Sequence, residues 1–205
     1  MVEQTAPSSE DSYLYADLES LVVPGRQCGT CTLCCRLIAV EELNKPRSRN
    51  CIHCIADVGC GNREHRPHLC RAFFCNWLLV ENLGPEWKPD HCGLVLQPVG
   101  FSNGAQCLVI NVDPDRPDSW RRSPYFDQIK AWAARAAGQT TGDVYYVLVI
   151  VDERRIVVLP DRDIDLGDFG AQDQISIERK VTPLGASFTF RKVSGSDSGV
   201  TTRFV

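Results

Sequence analysis

An α+β fold is the class that this sequence predicts: a small cysteine-rich metal-knuckle segment packed with an antiparallel sheet and one or two helices. Three observations support this prediction. Nine of the eleven cysteines fall between Cys28 and Cys75, strand-length apolar runs follow them, and one amphipathic helical pattern separates those runs. The chain has 205 residues, 43% of them hydrophobic, which is enough for one mid-sized domain or for a small domain joined to a larger one.

We divide the chain into four parts. Residues 1–23 form an N-terminal tail with a short packing segment, 24–84 the cysteine-cluster metal-binding domain, 85–194 an α+β sheet domain and 195–205 a flexible tail. The first dozen residues are polar and acidic, which is typical of disorder. Tyr13 to Val23 is apolar enough to form a short helix, and Pro24-Gly25 ends it.

The cysteine-rich part divides into a polar loop and a helical pattern. Cys51 to Pro67 contains few large apolar residues, so bonds to a metal would have to replace a hydrophobic core there. From His68 to Leu83 we predict one helix, ended by Gly84-Pro85. Its apolar positions recur at helical spacing at Leu69, Phe73, Trp77 and Val80.

The second half of the chain predicts strands in pairs. Two strands come first, then two hairpins, one around Asp152-Glu153 and one around Pro183 to Gly185. The predicted strands are Gly93 to Val99, Gln106 to Val112, Val144 to Val151, Arg154 to Leu159, Ile175 to Val181 and Ala186 to Val193.

One helix is predicted between the second and third of these strands. Ser123-Pro124 opens it and Gly138 suits its end. Its apolar face is formed by Phe126, Ile129, Trp132, Ala133 and Ala136.

A run of aspartates at Asp161, Asp163, Asp165 and Asp168 resembles a calcium-binding loop only loosely. It lacks the glycine at the sixth position and the terminal glutamate that such loops use. We therefore predict a solvated turn here.

Charge and composition exclude several classes of partner. The net charge of -4 weighs against non-specific binding to nucleic acid or to an anionic membrane. The N-terminus has neither the basic nor the apolar region of a secretory signal, and no apolar run approaches the roughly 20 residues of a spanning helix. We therefore expect a cytoplasmic protein with no membrane partner. In a reducing compartment, clustered thiols indicate metal or redox chemistry, and an odd number of cysteines fits complete pairing poorly.

Clustered thiolates are the strongest functional signal in the sequence. Two CxxC steps overlap in the run Cys28-Gly-Thr-Cys31-Thr-Leu-Cys34-Cys35, and a CxxC turn places two sulfurs near a single ion. Adjacent cysteines cannot easily point at the same ion, so Cys34 and Cys35 should differ in role. The nine clustered cysteines could fill two tetrahedral sites with one thiol left over, or they could hold one iron–sulfur cluster and one mononuclear site. The candidate ligands are Cys28, Cys31, Cys34, Cys35, Cys51, Cys54, Cys60, Cys70 and Cys75.

The other cysteines and the histidines are weaker candidates. Cys107 lies in an apolar strand and Cys92 in a loop, and for both we favour a buried thiol in the core. His53, His65 and His68 are interpreted as loop residues, although each could serve as a ligand or as a donor to one.

The cysteine pattern resembles the YkgJ-like cysteine-cluster family, described as a zinc- or iron-chelating domain. The CxxCxxCC signature stands at Cys28 to Cys35, and the family's second half, with its R-P-x-x-C-R-x-F-x-C run, stands at Arg66 to Cys75 after Cys60. Gly61-Asn62 replaces the family's Ile-Tyr, and Cys54 is an additional cysteine. The resemblance covers about a quarter of the chain and implies metal chelation, without a defined reaction.

We therefore predict a metal-binding protein that chelates an iron–sulfur cluster or Zn²⁺ through clustered thiolates. One alternative is an enzyme that uses the cluster or a reactive thiol, activated by arginines such as Arg63, Arg66 and Arg71; no catalytic residue can be assigned. The other is a zinc-finger-like nucleic-acid binder, which the small local excess of basic residues supports only weakly. A protein partner is left open.

Overall fold

Strands form most of the regular structure in the computed structural model of the protein, which describes residues 19–100, 106–137, 145–182 and 185–194. The described residues form nine strands: β1 (Cys54–Ile55), β2 (Gly59–Cys60), β3 (Leu94–Gly100), β4 (Gln106–Val112), β5 (Tyr145–Val151), β6 (Arg154–Val158), β7 (Asp163–Asp168), β8 (Gln174–Thr182) and β9 (Gly185–Val193). The helices are α1 (Leu33–Leu37), α2 (His68–Ala72), α3 (Asn76–Leu79), α4 (Pro89–Cys92) and α5 (Tyr125–Ala137). The predicted α+β class is confirmed.

The central sheet has five strands in the order β3-β4-β5-β6-β7. Three of its strand pairs are antiparallel, whereas β4 and β5 run parallel, so the sheet is mixed rather than wholly antiparallel. The helix α5 lies between β4 and β5 in the chain, and a helical crossover is the usual connection between parallel neighbours. The other sheets are the two-stranded pairs β1-β2 and β8-β9.

The predicted helix and both predicted hairpins are confirmed. In α5, the side chains of Ile129, Ala133 and Ala136 are buried, as the helical spacing predicts. The β5-β6 turn contains Asp152 with φ of +52°, in the left-handed region that tight hairpin turns require. Strand β8 pairs with β9 along its whole length.

The two faces of the sheet bury different clusters. On one face α5 packs with Ile129 and Ala133 against sheet residues such as Ile110 and Val149. On the other face the β8-β9 hairpin contributes Phe190, whose ring centroid lies 5.4 Å from that of Tyr146. Because both faces are covered, strands β4 and β5 are almost continuously apolar.

The cysteine-rich segment packs against the edge strand β3. Leu37 of α1, Cys75 and Leu78 form a buried cluster with Val95 of β3. The partly buried Trp77 contacts both this cluster and the core beneath α5. The segment therefore continues the hydrophobic core of the sheet instead of standing apart from it.

Polar contacts join the same segment to β4 and the loop that follows it. The Arg36 guanidinium donates to Asp113 at 3.0 Å and to both carboxylate oxygens of Asp115 at 2.6 and 2.9 Å. The Arg47 guanidinium donates to the side-chain oxygen of Asn111, which is buried in the sheet. These bonds orient the cysteine-rich segment on the sheet.

The single helix predicted from His68 to Leu83 is wrong, because the structure has two short helices, α2 and α3. Phe73 and Cys75 adopt extended backbone angles, with ψ of 114° and 151°, so the chain leaves the helix between them. The carbonyl groups beyond the break are bound by a side chain: the Arg26 guanidinium donates to Trp77 and Val80. Apolar spacing alone cannot detect that residues 73–75 leave the helix, because the apolar positions on both sides of the break keep a helical spacing.

The solvated turn predicted from Asp161 to Asp168 is also wrong, since most of this run forms the edge strand β7. Its carboxylates are not free: Asp163 accepts hydrogen bonds from Arg121 at 2.9 Å and from Lys130 at 2.7 Å. Asp165 pairs with Arg154 on the neighbouring strand. Cross-strand ion pairs thus supply the polar side of an edge strand.

Some predictions fall on residues outside the described ranges. These are the tail of residues 1–12, most of the short helix from Tyr13, Gly138 at the end of α5, the tip of the second hairpin at 183–184 and the tail of residues 195–205. The boundary between residues 84 and 85 stays a prediction.

Candidate metal centre

Four of the candidate ligands line one small cavity. Cys28, Cys31, Cys34 and Cys75, here called the inner cysteine group, surround a space of about 20 Å³. Between the first two, the amide of Cys31 donates to the carbonyl of Cys28 at 3.0 Å, and Gly29 between them has φ of +58°. The remaining lining residues are Trp77, Leu78, Lys88, Pro89 and Val95.

The inner group depends on the break between α2 and α3. Cys75 directly precedes α3, and its extended backbone places it beside the CxxC turn. In the sequence, Cys75 is at least 41 residues away from the other members of the group. Cys34 lies in the first turn of α1. The cavity wall opposite the thiols contains Val95 of β3, so the sheet itself closes the site.

The other five candidate ligands interact with one another beside α1. They are Cys35, Cys51, Cys54, Cys60 and Cys70, here called the outer cysteine group. The amide of Cys51 donates to the carbonyl of Cys35 at 3.2 Å, and Cys54 is paired with Cys60 across the β1-β2 ladder. Cys70 lies close enough to Cys35, Cys51 and Cys60 for their charges to act on it. Together with burial, these neighbouring thiols raise the pKa of Cys70 to about 11.

Cys34 and Cys35 connect the two groups. The thiol of Cys34 donates a hydrogen bond to the sulfur of Cys35, which raises the pKa of Cys34 well above its usual range. The same bond, a second one involving Cys54, and the positive charges of Lys45 and Arg66 lower the pKa of Cys35, against the effect of burial. Only Cys34 of this adjacent pair lines the cavity, and whether the two cysteines serve different ions stays a prediction.

Most of the inner thiols are held in the protonated form. Burial raises the pKa of Cys28 and of Cys31, and it raises the pKa of Cys75 to about 11. Thiolates rather than thiols are metal ligands, so an ion that bound here would have to displace protons. Binding at this group should therefore weaken as the pH falls.

Two cations lie near the thiols: Arg66, which the sequence offers as an activator of a thiol, and Lys45, which the sequence does not single out. Lys45 is buried, and its ammonium donates to the carbonyl groups of Arg36 at 2.9 Å, of Pro46 at 3.1 Å and of Ile38. Arg66 has a buried Nε that makes no hydrogen bond, while its charge lowers the pKa of Cys28. Lys45 gives no sequence signal beyond a basic loop, because its burial depends on the turn at residues 40–45.

The remaining cysteines and the histidines take no part in either group. Cys92 and Cys107 are buried in the hydrophobic clusters of the sheet, as predicted. His65 and His68 are exposed, and His53 is half-buried without lining the cavity.

The donors fit a thiolate-bound ion in number and chemistry, although they do not stand at coordinating positions. Over residues 19–100, 106–137, 145–182 and 185–194, no group of three or more Cys, His, Asp or Glu side chains is arranged so that it could hold a metal ion. Zinc requires Zn–S distances of about 2.3 Å. To bind zinc, the inner thiols would therefore have to turn into the cavity. The cavity has about 20 Å³ of space, and a water molecule needs about 10 to 15 Å³ of such space. There is thus room for one ion.

Comparisons of the chain with protein-family models, with curated proteins and with solved structures found no match. Within the described part of the chain, no helix combines the length and the apolar character that crossing a membrane requires.

Proposed function

We propose that this protein binds metal through its clustered cysteines, as zinc or as an iron–sulfur cluster. The observation that carries the proposal is the inner cysteine group, in which four thiols from two distant parts of the chain line one ion-sized cavity. Four sulfur donors are the complete ligand set of a structural zinc site. A CxxC turn next to a third and a fourth cysteine has no comparable use in a hydrophobic core.

The size of the cavity favours a single ion in the inner group. A space of about 20 Å³ accommodates one ion, whereas a four-iron cluster would require the surrounding side chains to move apart. The resemblance of the cysteine pattern to the YkgJ-like family supports metal chelation in general and leaves zinc and an iron–sulfur cluster equally open.

The outer cysteine group is the place for a second ion or a cluster. Its five thiols exceed the four that one tetrahedral site needs, which leaves one free for a shared or regulatory role. Cys51, Cys54 and Cys60 lie on a polar knuckle whose apolar side chains Ile52 and Val58 are exposed. A segment without its own core gains its stability from such bonds.

The test is metal analysis of protein purified without oxygen, combined with one cysteine variant in each group. We expect Cys31→Ser to lose the metal of the inner group and Cys60→Ser to lose that of the outer group. Cys107→Ala, a buried cysteine of β4 outside both groups, is the matched control and should retain all metal. Zinc in colourless protein would indicate mononuclear sites, and iron with acid-labile sulfide and visible absorption would indicate a cluster.

Two results would contradict the proposal. The first is wild-type protein that contains no zinc and no iron and takes up neither after reduction. The second is metal that remains in both cysteine variants as fully as in Cys107→Ala, because the ion would then be bound elsewhere.

A second candidate function is a reactive-thiol enzyme centred on Cys35. The hydrogen bond from Cys34 is the largest of the effects that lower the pKa of Cys35 to about 6, so this sulfur is a thiolate near neutral pH. Rapid alkylation of Cys35 in the metal-loaded protein would favour this candidate. Protection of Cys35 by bound metal would favour the metal-binding function.

A further inference from the structure

A second cavity lies between α3 and α5. This α3–α5 cleft has a volume of about 320 Å³ and opens to solvent. It is lined by Asn76, Val80, Leu83, Leu96, Leu108, Trp132, Arg135, Ala136 and Tyr145. None of these residues belongs to the inner or the outer cysteine group, so the cleft is independent of the metal proposal.

The floor of the cleft is apolar and rigid. Leu96 of β3 and Leu108 of β4 are almost completely buried on the face of the sheet that α5 covers. Ala136 of α5 forms part of the wall and is buried as well, and its small side chain leaves room there. Such a floor can bury the hydrocarbon part of a ligand, which is the main source of affinity in small-molecule sites.

The far wall is fixed by a single arginine. The guanidinium of Arg26 donates to four carbonyl groups, those of Trp77, Val80, Glu81 and Leu83, three of them at 2.7 to 2.9 Å. Arg26 also lies over the ring of Trp77, with 5.2 Å between its central carbon and the ring centroid. The segment that contributes Val80 and Leu83 to the cleft is thereby held in place without a ligand.

Three polar groups lie among the apolar lining residues: the Asn76 amide, the Tyr145 hydroxyl and the Arg135 guanidinium. Arg135 is exposed in the last turn of α5, where the helix dipole favours a cation. Within the described ranges it pairs with no carboxylate, whereas Lys130 on the same helix pairs with Asp163. Burial raises the pKa of Tyr145, against the effect of the nearby Arg135, so its hydroxyl remains a donor at neutral pH.

We propose that the α3–α5 cleft binds a small organic carboxylate with an apolar body, such as a medium-chain fatty acid. The hydrocarbon part contacts Leu96, Leu108 and Ala136, and the carboxylate faces Arg135 at the mouth. An unpaired guanidinium beside hydrogen-bond donors complements an anionic oxygen pair. A volume of about 320 Å³ lies at the small end of the roughly 300–1,000 Å³ of ligand pockets, which fits a small acid rather than a nucleotide.

The test is calorimetric titration of the full chain with octanoate and with octanol, its uncharged match. We expect saturable one-to-one binding of octanoate and weaker binding of octanol. Arg135→Gln should weaken octanoate about 5- to 10-fold, as expected for the loss of a partly exposed charge-assisted bond, and leave octanol unchanged. Arg122→Gln is the matched control, because Arg122 is exposed and lies before the opposite end of α5.

A second variant, Ala136→Leu, fills the cleft from its wall and should abolish binding of both probes; its urea midpoint shows whether it has folded. The proposal is overturned if octanoate does not bind saturably, or if Arg135→Gln and Arg122→Gln bind octanoate equally well. It is also overturned if folded Ala136→Leu binds as the wild type does. Should Ala136→Leu fail to fold, the comparison of the two arginine variants decides.

Discussion

Replacing Asp113 by alanine tests how the cysteine-rich segment is attached to the sheet. Asp113 follows β4, and its side chain is only 9% exposed. Its carboxylate accepts hydrogen bonds from Arg36 at 3.0 Å, from Arg116 at 3.3 Å and from the amide of Asp115 at 3.2 Å. Because Arg36 belongs to α1, beside Cys34 and Cys35, this carboxylate connects α1 to the core of the fold.

The expected loss can be worked out from these contacts. Hydrogen bonds to charged groups contribute about 1.5–3 kcal/mol, and removing one partner of a fully buried ion pair costs about 3–5 kcal/mol. The side chains of Arg36 and Arg116 are 26% and 39% exposed, so water can solvate both guanidinium groups after the substitution. We therefore expect D113A to lower the free energy of unfolding by about 2–3 kcal/mol.

Urea unfolding followed by tryptophan fluorescence measures this loss, and a midpoint decrease of roughly 1 M is expected at the usual slope of about 1–3 kcal/mol/M. D115A is the matched control, because Asp115 binds the same arginine but its side chain is 72% exposed. D115A should change the midpoint much less than D113A. Equal midpoints for the two variants would refute the reasoning, as would a double variant with R36A in which the two effects are simply additive.

Three further predictions follow from the site. In metal-free protein, the rate of alkylation of Cys35 should rise as the pH passes about 6, whereas that of Cys70 should rise only towards pH 11. The reason is that the thiolate, and not the thiol, is the nucleophile. Equal pH profiles for the two cysteines would contradict this prediction. R26Q should lower the urea midpoint by an amount that corresponds to about 2 kcal/mol. The midpoint of R26K should lie between those of R26Q and the wild type, because a lysine cannot reach four carbonyl groups. Wild-type midpoints in both variants would contradict this prediction. Removal of metal by a chelator should allow trypsin to cleave residues 51–67 before it cleaves the sheet, and mass spectrometry of the fragments identifies the sites. A cleavage pattern that the chelator does not change would show that this segment needs no metal.

Local patterns predicted the elements whose structure depends on local contacts. Helix α5 combines an opening proline with buried residues such as Ile129 and Ala133 at helical spacing, and its position in the sequence was correct. The β5-β6 hairpin follows from two apolar runs around Asp152. Where distant residues contribute to the conformation, the pattern fails: the Arg26 guanidinium binds carbonyl groups of α3 and of the turn after it, and Lys130 binds Asp163 of the edge strand β7.

The candidate site shows the same contrast between features that local sequence patterns predict and features that depend on contacts between distant residues. Spacing alone singled out nine candidate cysteines, whose role as ligands stays a prediction, but it could not assign Cys75 to the cavity with Cys28, because that assignment depends on the break before α3. The prediction that Cys34 and Cys35 do not serve the same ion is likewise still to be tested. Buried Lys45 could not be foreseen, because a lysine in a polar loop gives no indication that three carbonyl groups enclose its ammonium.

The two cysteine groups should differ in how much they depend on metal, because most of the outer group lies on a segment without buried apolar side chains. The inner group shares its cavity wall with Val95, a completely buried residue of β3, so the sheet holds the backbone around these thiols in place, and the side chains alone would have to turn inward to bind an ion. Three of the five outer cysteines, Cys51, Cys54 and Cys60, lie on or beside strands of two residues each, with Ile52 and Val58 exposed and no buried apolar side chain among residues 51–67. A site whose surrounding backbone is already packed on a core loses less conformational entropy on binding than one whose backbone must be ordered at the same time. The inner group should therefore retain its ion at chelator concentrations that empty the outer group.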